Sequence, residues 1–105
     1  MLLGSGWDTI AVDSDDPETT RRVVHAKADS FPSPRVARHQ RALLLDAGFT
    51  DVTAEARSLV LTDDTAFALL RRITDDDSWR AEQAERLLAN RIFVAVPMVL
   101  VAGQR

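Results

Sequence analysis

Leu43-Leu44-Leu45-Asp46-Ala47-Gly48-Phe49-Thr50-Asp51-Val52 sets an apolar helical tail, a glycine and the start of a β-forming stretch in immediate succession. Glycine takes the left-handed conformation that closes a helix without a Cβ penalty, so this stretch reads as a helix end followed at once by a strand. Upstream, Val36, Leu43, Leu44 and Ala47 lie near one face at helical spacing, which predicts a helix from near Pro34 to Ala47 with that face inward. Downstream, Val52, Ala54 and Ala56 alternate with Thr53, Glu55 and Arg57 before Leu59-Val60-Leu61. Residues 51–61 therefore read as a strand, wetter on one face at its start, with Phe49 capping the core.

Working outward toward the N-terminus, Trp7 to Val12 predicts a short extended segment. Ser14-Asp15-Asp16-Pro17-Glu18 is a helix start: an aspartate accepts from free backbone amides, Pro17 takes the first helical position, and Glu18 complements the positive helix end. That helix is expected to reach Asp29, with Val23, Val24 and Ala28 inward, and to stop before a stiff connector at Phe31-Pro32-Ser33-Pro34.

Toward the C-terminus, Thr62-Asp63-Asp64 caps a third helix over about 63–74 carrying Phe67, Leu69, Leu70 and Ile73. Asp75-Asp76-Asp77-Ser78 makes a polar break before a fourth from Trp79 to about Asn90. The run from Ile92 to Gly103 is almost continuously apolar, as expected of a strand buried on both faces. Pro97 lies within it and lacks a ladder donor, so it must sit at a bulge or where the neighbouring strand has ended. The order is strand, two helices, strand, two helices, strand. It predicts an α/β chain, α+β if taken as a lone fragment, with a three-stranded mixed sheet and about four helices in one domain spanning 1–105.

Composition narrows the function classes. The chain has 105 residues, 46% of them hydrophobic, enough for one modest core. With no cysteine, disulfides and thiolate metal sites are excluded, and His25 and His39 are the only imidazoles. No stretch approaches the roughly 20 apolar residues of a membrane span and no leader-like segment opens the chain, so a cytoplasmic location is expected. Net charge is −3, Lys27 is the single lysine, and the acidic clusters at Asp13–Asp16 and Asp75–Asp77 interrupt any basic stripe, which argues against nucleic acid as a partner.

The Leu43–Val52 junction resembles the helix-to-strand passage before the sixth strand of class I S-adenosylmethionine-dependent methyltransferases. Gly6-Trp7-Asp8-Thr9 with Asp13-Ser14-Asp15-Asp16-Pro17 is similar to the segment after the fifth strand in the small-molecule branch of that family, and Met1-Leu2-Leu3 to a stub of that strand. The Phe93–Gly103 run resembles strand seven. The resemblance covers nearly the whole chain and implies the last strands of a Rossmann-like sheet, with the final strand inserted between the fifth and the sixth. It also implies S-adenosylmethionine as cofactor of the complete fold.

The family's glycine-rich cofactor loop and ribose-binding acid lie upstream of the matched part. Gly4-Ser5-Gly6 is preceded by three residues and followed by a β-like segment, unlike a phosphate- or nucleoside-cradling loop. No cofactor-binding residue is assigned and no metal ligand set is present. The expected protein is the substrate-side, C-terminal portion of a methyltransferase acting on a small molecule, inactive as a lone chain. The alternative is a non-catalytic small-molecule-binding or dimerisation module of the same descent. An exposed sheet edge would recruit a second copy or a separate cofactor-binding chain.

In that frame Trp7 and Asp8 fall at the carboxyl edge of the sheet, where open α/β sheets bind ligands. Both are candidate substrate contacts, against packing under the first helix and solvation of a turn. His25 is a candidate general base because an imidazole changes charge near neutral pH, against a structural histidine. Arg38 is a candidate anion contact within the Arg35, Arg38, His39 and Arg41 group, against a solvated helix flank. Two copies building a composite pocket between Trp7 and residues 31–34 is a further arrangement the sequence permits.

Overall fold

A computed structural model describes residues 2–31 and 36–105, the side chain of Leu3 excepted. The order is Leu2–Ser5 (β1), a 3₁₀ turn at Trp7–Thr9, Ala11–Val12 (β2), Pro17–Asp29 (α1), a 3₁₀ turn at Val36–His39 continuing into Gln40–Asp46 (α2), Thr50–Leu61 (β3), Asp64–Ile73 (α3), Asp77–Leu88 (α4) and Val94–Gln104 (β4). The last strand is the centre of the sheet. β1 and then β2 pair along one side of β4 and β3 along the other, every pairing antiparallel.

The α/β class is as expected. The sheet has four strands rather than three: of the segment expected to be extended over Trp7–Val12, Trp7–Thr9 is a 3₁₀ turn and only Ala11–Val12 pairs, while Leu2–Ser5 forms a further strand ahead of it. The sheet's pairings are all antiparallel rather than mixed, since β1, β2 and β3 run in the same direction and each pairs only with β4.

Pro97 sits where its chemistry permits. β1 ends opposite Met98 and β2 begins opposite Ala95, so Pro97 faces the gap between them while pairing with Ser58 of β3 on the other side. Its carbonyl accepts from the Gly6 amide across that gap at 2.9 Å, and an antiparallel residue directs its N–H and C=O to the same side. The absent donor therefore falls where no ladder bond is lost. A Cβ at Gly6 would lie 3.1 Å from the Pro97 ring, which makes this close approach a glycine position.

The α2–β3 junction closes as its sequence requires. The Phe49 amide donates to the Leu44 carbonyl and the Gly48 amide to that of Leu45, both at 3.1 Å, with Gly48 at φ +90°. This is the paired bonding of a Schellman cap. Asn90 repeats it after α4, where the Arg91 amide reaches the Arg86 carbonyl at 2.7 Å and Asn90 takes φ +57°. Asp51, also at positive φ, marks a bulge: Thr50 faces Gln104 but Thr53 faces Ala102.

The caps anticipated at Asp16 and Asp63 are present. Asp16 accepts from the Thr19 amide and Asp63 from that of Thr65, both at 3.0 Å. Asp76, placed in a polar break by the sequence, caps α4 by accepting from the Trp79 amide at 2.9 Å.

The core lies against one end of the sheet. Val94 and Val96, two residues apart on β4, share a face, and with Ile10, Val23 and Val24 of α1, Ala66, Leu70 and Ile73 of α3, Trp79 and Ile92 they form a single cluster. The Trp79 indole N–H is buried and donates to the Thr20 hydroxyl at 2.9 Å.

Two expectations about burial are corrected. Leu43 and Val36 of the supposed inner face of α2 are exposed, as is Ala47, while Ala37 and Gln40 are buried. The reason is Gly4 of β1: a Cβ there would fall 2.8 Å from that of Ala37, so the approach of this segment to β1 is through its small residue. Nor is β4 buried on both faces along its length, because from Pro97 to Leu100 it is only half-buried. β3 is exposed on both faces from Thr53 to Val60. The expected start of a helix at Pro34 lies outside the described residues.

The radius of gyration is 16.1 Å over extents of 50 × 24 × 18 Å, against about 13 Å for a compact chain of this length. The long β3–β4 ribbon thus extends past what the helices cover.

Gly48→Ala should cost about 1 kcal/mol through backbone conformation alone, because open space surrounds its Cβ position. Leu70→Ala should cost about 2–5 kcal/mol from the cavity it leaves. Urea unfolding checks both.

Acid should weaken the fold through Asp16, whose carboxyl is held below its ordinary 3.8 by the Thr19 hydroxyl and amide. A depressed folded value adds stability that is full above the unfolded pKa and lost as pH falls through the folded one. The loss between about pH 5 and pH 3 should be smaller in Asp16→Asn.

Candidate functional site

The segment from Asp8 to Ser14 leaves the carboxyl end of β1, turns, pairs briefly as β2 and enters α1. Between it and α1 lies a cleft of about 320 Å³, with Asp8, Asp13, Ser14, Thr20, Arg21 and His25 on its walls. The apolar part of the wall is Ile10, Val12 and Val24, of which Ile10 and Val24 belong to the buried cluster, so one side of the cleft is built on the core itself. Acid, base and hydroxyl groups converge on a partly apolar hollow, which suits a small ligand with a few polar groups.

Its outer wall is fastened from α4. The Arg86 guanidinium reaches Asp13 at 2.8 Å, Asp15 at 2.9 Å and Glu82 at 3.1 Å. The buried Gln83 amide donates to the Asp13 carbonyl at 3.0 Å, and the Asp15 amide donates to Glu82 at 2.7 Å. Burial pulls the Arg86 pKa down, but the Glu82 hydrogen bond and the charges of Asp13 and Asp15 outweigh it and raise the value above that of a free arginine. Within the cleft, the Ser14 and Thr20 hydroxyls share a hydrogen bond and Thr20 accepts from Trp79, so the polar side of the site is continuous with the core.

Of the four residues singled out in the sequence, the fold brings Asp8 and His25 to this cleft. Arg38 joins them indirectly: one of its terminal nitrogens lies 2.9 Å from each carboxylate oxygen of Asp8, with Asp8 largely covered and Arg38 half exposed. Trp7 turns elsewhere. Its ring packs on Phe31 with centroids 5.0 Å apart, and Lys27 lies 5.4 Å from the centre of the Phe31 ring. Trp7 also lines a second, mainly apolar cleft of about 400 Å³ beside Leu59, Leu61, Leu69, Val96 and Arg72. His39 is exposed at the end of its turn; Arg35 and the connector prolines, with the composite pocket imagined there, lie outside the described residues.

Sequence reading missed Arg21 and Thr20, although both share the α1 face of His25 or Val24 at helical spacing and were detectable on that ground. It missed the Leu59–Leu69 cleft for a different reason. Nothing local says that β3 and α3 leave a hollow between them.

Gly4 and Gly6 do not fit an S-adenosylmethionine cradle. Gly4 is inside a strand and crowded by Ala37, and the Gly6 amide is spent on Pro97. Neither opens an α-helix, which such a loop requires, since Gly6 leads only into the 3₁₀ turn at Trp7–Thr9. Among the described residues no group of three or more histidine, aspartate or glutamate side chains could hold a metal ion, and no helix is long and apolar enough to cross a membrane.

Asp8→Ala should cost no more than about 1 kcal/mol, since its arginine partner is half exposed, and the difference from wild type should shrink in high salt. Parallel urea unfolding at low and high ionic strength checks this. No family model matches the chain, and no curated protein or solved structure matches it either.

Proposed function

We propose that this chain is the substrate-side, C-terminal portion of a class I S-adenosylmethionine-dependent methyltransferase fold acting on a small molecule, with the cofactor-binding half supplied by other polypeptide. One observation carries the reading. The last strand runs antiparallel between β1 and β3, which share a direction, and this is the order five, seven, six expected of that family's closing strands. The cleft at the carboxyl end of β1 lends support, since open α/β sheets bind ligands there.

On this reading the outer edge of β1 is where the fourth strand of the missing half adds. The residues here bind and orient the methyl acceptor. Asp8 and Arg21 offer charge-assisted hydrogen bonds, Ile10 and Val24 an apolar seat, and His25 a nitrogen to receive the proton an acceptor hydroxyl or amine gives up. Holding an acceptor in line carries much of the barrier reduction in such a transfer, so a modest set of side chains suffices.

The rival reading, a non-catalytic binding or dimerisation module, is favoured by the core, which closes around Leu70 and Trp79 without further polypeptide. Titration calorimetry with S-adenosylhomocysteine separates them. This chain alone should give no saturable heat. The chain reconstituted with a half carrying strands one to four of a class I methyltransferase should give micromolar binding. Saturable binding by the chain alone, or a folded reconstituted complex that does not bind, would overturn the proposal.

A further inference from the structure

β3 is a long edge with little to protect it. Over Thr53–Leu61 it contains no proline or lysine, its two charges, Glu55 and Arg57, are opposite in sign and paired with each other, and among the described residues nothing pairs its outer side. Both faces are exposed from Thr53 to Val60, Leu59 and Val60 being about half accessible. The bulge at Asp51 bends the strand only before this stretch begins. By contrast β1, the other open edge, is four residues long.

The charge pattern of this edge is self-complementary. Glu55 and Arg57 lie on one face two residues apart, their side chains joined at 3.0 Å and exposed at 59% and 68%. We propose that β3 pairs antiparallel with β3 of a second copy about a two-fold axis at Ala56. This continues the two sheets into one, with Glu55 of each chain directly opposite Arg57 of the other.

In this register Ala56 opposes Ala56, Ala54 opposes Ser58 and Thr53 opposes Leu59. On the face of Ala54, Ala56 and Ser58 small side chains thus meet, while the face of Thr53, Glu55, Arg57 and Leu59 closes an alternating square of four charges flanked by two Thr53–Leu59 pairs. Directly opposite residues share a face of the sheet, so the pairs are in reach, and opposite charges so placed are stabilising. Moving the axis by one residue to Glu55 sets Glu55 against itself, and moving it to Arg57 sets Arg57 against itself, each a repulsive contact. A two-fold contact of this kind is closed, so it consumes the β3 edge of both copies and stops at the dimer. It leaves the cleft beside α1 untouched and does not depend on the methyltransferase reading.

Sedimentation equilibrium of the wild-type chain and its variants tests the register. Wild type should dimerise, Glu55→Arg and Arg57→Glu should each weaken the dimer by about ten-fold or more, and the double swap Glu55→Arg/Arg57→Glu should restore it, with circular dichroism unchanged throughout. The chain has no cysteine, so Ala56→Cys reports on the two-fold contact alone. Opposed Cα atoms about 4.5–5.5 Å apart lie within disulfide range, and mild oxidation should cross-link Ala56→Cys to itself far faster than Ser58→Cys. A monomer at every concentration, a dimer indifferent to single charge reversal, or Ser58→Cys cross-linking as fast as Ala56→Cys would overturn the proposal.

Discussion

The position of β4 is the constraint on which this structure depends. Every strand pairing in the described sheet has β4 as one member, so β1, β2 and β3 have no ladder without it. It also follows every other described element, so the sheet assembles only once Val94–Gln104 joins it. Its contacts with β1 span nearly the whole sequence, and long-range closures of that kind carry a loop-entropy cost that local helices do not. The near-continuous apolar composition of Val94–Val101 offsets that cost by burying Val94, Val96 and Val101.

The site inherits its shape from this arrangement. Because Pro97 faces a gap, the N-terminal segment leaves the sheet at Gly6, turns through Trp7–Thr9 and returns at Ala11, and that excursion forms one wall of the cleft. Residues far apart in sequence then hold the wall in place: Arg86 and Gln83 of α4 bind Asp13 and Asp15, and Trp79 binds Thr20. The polar ties are charge-assisted or buried, which orients the segment more specifically than apolar contact would. Along the middle of β3, from Thr53 to Val60, both faces are exposed among the described residues, and the same sheet that builds a cleft on one side presents an exposed strand on the other.

Much of the fold is legible locally because local chemistry decides it. Gly48, Asp16 and Asp63 act through backbone conformation or through amides two or three residues away, so the elements they begin or end are visible in the residues themselves. The inner face of α1 follows from spacing for the same reason. The α2 face does not. Leu43 and Val36 have helical periodicity but are exposed, because a crowded glycine in a distant strand admits only the small Ala37. Half of the candidate site was readable in the same limited sense. Asp8 and His25 reach one cleft, whereas Trp7 packs on Phe31 in a different environment.

The sequence by itself determined the α/β class, the succession of the helices and the two long strands, the caps of α1 and α3, the glycine closure before β3 and the restriction on Pro97, since each depends on the conformational preferences of adjacent residues. Only the tertiary structure decided that Arg38 pairs with Asp8, that Arg86 gathers three carboxylates, and that the middle of β3 is left exposed on both faces. Those outcomes depend on which surfaces meet once distant segments are brought together, and no periodicity of 2 or 3.6 residues carries that information.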